Sequence, residues 1–200
     1  MIRIALTGGV AVGKSTALKL LRDLGCATIS SDSIVHELMS KNMELKAKLK
    51  TAFNCVDTDG NVDRSALSRL VFNDASAKQK LEALTHPLVK IVRKEFFQEC
   101  AKKNFEFAVC ETPLLFEKGL VNEFDYSILL SAGLDVRVDR YINSGQGDQE
   151  KFFKITKNQM LDAEKTSKAD FVVKNNSSKL QLKTELQKVL EQIRTKQNRH

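Results

Sequence analysis

The feature that most restricts what this chain can become is the octapeptide Gly8-Gly9-Val10-Ala11-Val12-Gly13-Lys14-Ser15, which follows the apolar run Ile2 to Leu6 and opens a stretch of helical periodicity. It satisfies G-x-x-x-x-G-K-[ST] in the context that gives the pattern a mechanism, the turn from a strand into a helix. Glycines let the turn tighten and the backbone approach a ligand. Successive amides point inward and the helix start adds partial positive charge, so the turn cradles phosphates. Lys14 is placed to reach the β- and γ-phosphates of a nucleotide, and the Ser15 hydroxyl is a hard oxygen for Mg²⁺ bridging them. A glycine-rich turn without a ligand leaves unexplained a lysine set at a helix start, where cations are disfavoured.

The rest of the pattern fits an α/β chain. Short apolar runs suited to buried parallel strands occur at Ile2 to Leu6, Cys26 to Ile29, Phe105 to Cys110, Tyr126 to Leu130 and Phe171 to Val173, with helical patterns between them. The first helix is expected from Lys14 to Leu24, with Leu18, Leu20, Leu21 and Leu24 inward and Gly25 past its end. Between the second and third strands lie roughly 75 residues of helical character, too many for one crossover. A helical lobe over 41–102 is therefore expected beside a core of 1–40 and 103–200, with His86 to Lys102 as one helix started by Pro87. A last helix should bury Leu180, Leu186, Val189, Leu190 and Ile193, and the basic end from Arg194 to His200 is expected to fray.

Composition excludes several classes. With 200 residues, 42% of them hydrophobic, the chain can hide roughly 70% of its extended surface and needs no disulfide or metal to fold. Cys26, Cys55, Cys100 and Cys110 form no C-x-x-C pair and sit in apolar stretches, which points to reduced packing residues and a cytoplasmic setting. No signal-like segment and no run of 18 apolar residues is present, so no membrane partner is expected. The net charge of +7 favours an anionic partner. Because the lysines and arginines are scattered, a nucleotide fits better than a nucleic acid, which is not expected. His36, His86 and His200 lack metal-ligand spacing, and Asp57-Thr58-Asp59-Gly60 reads as a polar turn.

Three further places decide what happens to the phosphate. Asp32, in Ser30-Ser31-Asp32-Ser33, follows the second strand and could take a proton from an acceptor hydroxyl; local sequence alone favours it as a cap of the next helix. Glu111, ending the third strand ahead of Thr112-Pro113-Leu114-Leu115-Phe116-Glu117, could hold a water of a Mg²⁺ shell or stand as an exposed strand-end carboxylate. Arg137 and Arg140, followed by the loose segment Asn143 to Asp148, either belong to a lid that closes over transferring phosphate or form a solvated helix face.

These residues bring out a resemblance. Leu6 to Thr16 resembles the opening of the dephospho-CoA kinases, a family of small P-loop kinases, and the likeness continues along nearly the whole chain. Asp32 falls on the second aspartate of the family's D-x-D. Asp63-Arg64 to Leu67 is similar to its D-R-x-x-L helix, Leu81 to Pro87 to its L-E-x-x-x-H-P, Pro113 to Glu117 to its P-L-L-F-E, and Ala169-Asp170 with Asn175 to its A-D-x-x-x-x-N. Four departures stand out. Ser30 replaces the first aspartate, Glu111 stands where an aspartate is usual, and Ser144 and Lys154 occupy positions where arginines are expected.

The resemblance implies a P-loop NTPase fold of five parallel strands flanked by helices, a helical substrate-binding insertion and a small lid at about 137–160. It implies transfer of the ATP γ-phosphoryl to the ribose 3′-hydroxyl of 3′-dephospho-CoA, the last step of coenzyme A biosynthesis, by a monomer or weak homo-oligomer using ATP and Mg²⁺. Lys14, Asp32 and Arg140 become the catalytic candidates. Gly8 to Thr16 and Asn175 would hold the nucleotide, with Ser15 on the metal, and Asp32, Arg64, His86, Leu114 and Phe116 would hold the substrate. The alternatives are another P-loop kinase of a nucleotide or metabolite, a nucleic-acid-linked P-loop ATPase, and a binding module that holds ATP without turnover.

Overall fold

The computed structural model describes residues 1–157 and 159–197, and Asn158 and residues 198–200, His200 included, lie outside them. The chain divides into two compact units, Met1–Ile29 with Glu99–His200, and Ser30–Gln98.

The first unit is built on a five-stranded parallel sheet in the order β2-β3-β1-β4-β5. Its strands are β1 (Ile2–Thr7), β2 (Ala27–Ser30), β3 (Phe107–Glu111), β4 (Tyr126–Ser131) and β5 (Phe171–Lys174), each within about two residues of the expected apolar runs. β1 lies between β3 and β4, with Leu6 paired to Glu111 and to Ile128. The chain leaves β1 toward one sheet edge and β3 toward the other, so the C-terminal ends of β1 and β3 flank the switch point where open α/β sheets bind ligands.

Alternation along the strands sends Ile4, Leu6, Phe107, Val109, Ile128, Leu130, Phe171 and Val173 into one core with α1 (Lys14–Asp23) and α9 (Lys179–Gln197). α1 ends in a Schellman motif: Cys26 N–H bonds the Leu21 carbonyl, Gly25 N–H bonds that of Arg22, and Gly25 takes φ +89°. Leu18 and Leu21 are buried and Leu20 and Leu24 pack at the core margin, as the periodicity requires. The remaining helices of this unit are α6 (Leu134–Asn143), α7 (Gln149–Thr156) and α8 (Asp162–Lys168).

The second unit holds α2 (Ser31–Lys41), α3 (Met43–Phe53), α4 (Arg64–Asn73) and α5 (Ala75–Lys102) up to Gln98. Its core joins Met39, Leu45, Leu49, Cys55 and Leu67 with margins from Val35, Leu38, Leu81, Leu84 and Leu88. That packing places α2 with α3 and α4, whereas the sequence reading drew its boundaries at 41 and 102. Asn42, Asp63 and Asp74 each accept a backbone N–H at the helix they precede. Asp57 to Gly60 forms a turn closed by an Asp57–Asn61 backbone bond and the antiparallel bridge of Val56 with Val62.

Three details differ from expectation. Pro87 lies inside one 28-residue helix and does not start a new one. The Asp74 cap begins that helix thirteen residues upstream of Pro87, whose missing N–H leaves only one carbonyl, that of Ala83, without its helical donor. Leu180 is exposed, and Leu182 takes the buried place because it, with Leu186, Val189, Leu190 and Ile193, repeats at helical spacing. The basic end does not fray through Gln197. Arg194 binds Glu106 through two 2.6 Å bonds and lies over the Phe107 ring, and Lys196 lies over Phe171.

All four cysteines are buried; burial pushes the Cys26 thiol up to about 12. Among the described residues no helix is long and apolar enough to cross a membrane.

Candidate active site

β1 delivers the chain at Thr7 into the glycine-rich turn, and α1 begins where Ala17 N–H bonds the Gly13 carbonyl at 3.0 Å. A turn that presents its amides to an anion must send its carbonyls the other way, and buried carbonyls need donors. Here those donors are side chains. Lys14 Nζ donates to the carbonyls of Gly8 (3.1 Å) and Gly9 (2.9 Å), Arg137 Nε to that of Val10 (2.9 Å), and Asn175 Nδ2 to that of Val12 (2.9 Å). Asn175 is itself fixed, its own N–H donating to the Ser131 carbonyl at the end of β4.

Gly13 is forced by this arrangement. It sits at φ +93°, and a Cβ there would stand 2.5 Å from Asn175 Nδ2. Ala11 holds φ +58° without a glycine's freedom, a strained backbone costing about 1 kcal/mol or more. The strain lies in the loop itself.

α6 carries Arg137 and Arg140 three residues apart, on one helix face. Neither lies on a solvated face. Arg137 is buried against the loop, and Arg140 is half-buried with Nη1 buried and making no hydrogen bond, 3.9 Å from where a Gly13 Cβ would be. The segment after α6 is tied down: Ser144 Oγ bonds the Tyr141 carbonyl, and Tyr141 Oη and Lys151 Nζ both bond the Gln146 carbonyl. The arginines therefore stand on a helix, and the loop that follows carries none.

Beside the loop, β3 ends at buried Glu111, and Thr112 N–H bonds the Leu6 carbonyl at 2.9 Å. In the turn that follows, Leu115 and Phe116 are buried and Leu114 is half-buried, and Leu120 N–H bonds the Leu115 carbonyl. Glu117 anchors the segment. Its Oε1 lies 2.8 Å from Nζ of the fully buried Lys165, without aligned hydrogen-bond geometry, and accepts Met160 N–H at 3.1 Å. Burial pushes the Glu117 carboxyl up, but Lys165 and the backbone donors outweigh it and hold the group below the usual carboxylate range.

Ser15 is exposed at the second position of α1. Among the described residues no cluster of three or more His, Cys, Asp or Glu side chains is placed to hold a metal ion. One exposed hydroxyl beside a phosphate loop suits an ion that arrives with its nucleotide and keeps most of its waters.

The remaining candidates belong to the second unit. Asp32 is exposed in the first turn of α2, whose N-cap is Ser30 with no side chain closing it, so the carboxylate is not spent as a cap. Arg64 opens α4 and, with His36, Lys46 and Asn61, lines a cavity of about 150 Å³. His86 is exposed on α5 and is not among the residues lining that cavity.

Sequence reasoning left Arg137 undecided and missed its partner Asp162. Arg137 precedes buried Tyr141 by four residues and so shares its inward face, a signal that was available. Lys165 gave none, since a solitary lysine in a short polar helix reads as surface.

Comparison with known proteins gives the family. The profile of the dephospho-CoA kinase family (CoaE) matches residues 2–181. A dephospho-CoA kinase of Hydrogenovibrio crunogenus is 34% identical over 186 residues, spanning 92% of this chain and 94% of the relative. The crystal structure of TT1252 from Thermus thermophilus superposes with a TM-score of 0.81 at 31% identity, covering 94% of this chain and 95% of that one. A dephospho-CoA kinase from Campylobacter jejuni gives 0.69 at 30% identity, covering 96% of each.

Proposed function

The chain belongs to the dephospho-CoA kinase family, and we propose that it phosphorylates the ribose 3′-hydroxyl of 3′-dephospho-CoA with ATP through the residues described above. The observation that carries this reading is the loop of Gly8 to Thr16, whose Val10 and Val12 carbonyls are bonded by Arg137 and Asn175 while Lys14 lies across the Gly8 and Gly9 carbonyls. A triphosphate fits such a nest, because part of its charge is met by dipoles already held in place, leaving the Lys14 side chain as the group that must move.

In this mechanism the loop amides orient the phosphates, and the Lys14 ammonium moves from the Gly8 and Gly9 carbonyls to the β- and γ-oxygens. Arg140, with an unspent buried donor, meets the charge that develops on the transferring group. Asp32, uncommitted to capping, accepts the proton of the 3′-hydroxyl as its oxygen attacks phosphorus and ADP departs. The Ser15 hydroxyl would hold a Mg²⁺ arriving with the nucleotide, which would supply charge neutralisation there. Arg64 and His86, and likewise Leu114 and Phe116, are assigned to the acceptor on the resemblance. Asn175 serves the nucleotide through the loop, by holding Val12. ATP and 3′-dephospho-CoA are the small-molecule partners, in a cytoplasmic chain that works without nucleic acid.

Incubation with ATP, Mg²⁺ and a panel of dephospho-CoA, AMP, shikimate and single-stranded DNA tests this. ADP release driven by dephospho-CoA alone is expected. Turnover driven by another panel member assigns a different acceptor, and ATP binding without turnover on any of them makes the chain a binding module.

A further inference from the structure

The loop that faces the phosphates is strained at one peptide. Ala11 is held at φ +58°, and rotating the peptide between Val10 and Ala11 would relieve it. The same rotation would swing the Val10 carbonyl toward the space that the amides face, putting an acceptor oxygen where an anion needs a donor. Something must hold that carbonyl outward. From the contacts around it we infer that Arg137 is a positioning residue for nucleotide binding, one that pins the Val10 carbonyl outward and links the phosphate loop to α7 and α8.

The guanidinium is spent three ways. Nε donates to the Val10 carbonyl at 2.9 Å, Nη1 pairs with Asp162 at 2.6 Å in the first turn of α8, and Cζ lies 5.5 Å from the centre of the Phe152 ring on α7. The side chain is 7% exposed. Nη2 stands 2.6 Å from where a Cβ on residue 9 would be, so glycine at position 9 is what lets the guanidinium approach this closely. A lysine has one nitrogen and no planar fork, and cannot make these contacts together. Arg140, one turn further along α6, keeps its Nη1 unpaired. The two arginines thus divide the work: Arg137 acts on the loop and Arg140 is left for the phosphates.

The inference rests on reading Gly8 to Thr16 as the phosphate site, and the test separates the two. In the full-length chain, KM for ATP, KM for dephospho-CoA, kcat and the melting temperature are measured for Arg137→Gln, Arg137→Lys and Asp162→Asn, each with and without Ala11→Gly. Arg137→Gln should raise KM for ATP by about tenfold or more, the scale of a lost charged hydrogen bond, and leave KM for dephospho-CoA within about twofold. Arg137→Lys should fail to restore it. Asp162→Asn should give a smaller rise in the same direction, and it carries the test if Arg137→Gln does not fold.

Adding Ala11→Gly should recover part of the ATP affinity, because glycine holds φ > 0 without strain and removes the drive to flip. A merely structural arginine gives no such rescue. An unchanged KM for ATP in Arg137→Gln, or a loss shared equally by both substrates and indifferent to Ala11→Gly, overturns the inference. If Lys14→Ala impairs ATP use while Arg137→Gln does not, the positioning role alone falls; if Lys14→Ala also has no effect, the phosphate site falls with it.

Discussion

Gly13→Ala probes the way the loop is held, and its size follows from two contributions. The residue sits at φ +93°, where an L side chain costs about 1–2 kcal/mol, offset by roughly 0.4–1 kcal/mol from the stiffer unfolded chain. The new methyl would also stand 2.5 Å from Asn175 Nδ2. Moving the amide aside breaks its bond to Val12 and leaves a buried carbonyl unpaired, about 1–3 kcal/mol more. The sum is about 1–5 kcal/mol, and at about 2–4 °C per kcal/mol the melting temperature should fall by roughly 2–18 °C.

Gly25→Ala is the internal control. Gly25 has φ +89°, but nothing lies within 4 Å of a Cβ there, so only the backbone contribution remains and the fall should be no more than about 6 °C. Differential scanning calorimetry on both variants, with Asn175→Ala and the double variant, completes a cycle in which Gly13→Ala and Asn175→Ala are less than additive. Gly13→Ala melting within about 1 °C of Gly25→Ala, or strict additivity with Asn175→Ala, would refute the close approach of Asn175 to the loop.

Asp32→Asn should lower kcat far more than it changes ATP affinity, since the side chain caps nothing; equal losses in both by steady-state kinetics and nucleotide titration would return Asp32 to a structural role. Glu117→Gln leaves the fully buried Lys165 ammonium without its anion and should destabilise by about 3 kcal/mol at neutral pH, read by calorimetry. Because the folded Glu117 carboxyl lies below its unfolded value of 4.5, its contribution is complete above that pH and lost as pH falls through the folded value. The deficit of the variant should therefore shrink in acid, and a deficit that grows there contradicts the pairing. Cys26, pushed up to about 12 by burial, should resist alkylation at pH 8 in the native protein and react on unfolding.

The residues show which signals a linear pattern carries. The strand and helix around Gly8 to Ser15 were legible because local chemistry dictates them: an apolar strand, a glycine turn, and a cap sealed at Gly25. Pro87 misled because the rule that places proline at a helix start is local, while tertiary packing of Leu84 and Leu88 carries α5 through it. Arg194 looked like a frayed end since its partners, Glu106 and Phe107, lie far off in sequence. Arg137 and Lys165 were hidden for the same reason. A buried cation is recognised by the carboxylate that balances it, and Asp162 and Glu117 come to those positions only through the fold.

The turn at Gly8 to Thr16 is expected to hold the triphosphate whose γ-phosphoryl is moved to an acceptor hydroxyl. The most direct measurement is the initial rate of CoA formation from dephospho-CoA and ATP, for the unaltered chain and for Lys14→Ala, with melting curves for both. The expected result is turnover by the first and a loss of about a hundredfold or more in the second, with a cooperative melting transition retained but lowered by the loss of the Lys14 bonds to the Gly8 and Gly9 carbonyls. Equal rates in the two proteins would contradict it.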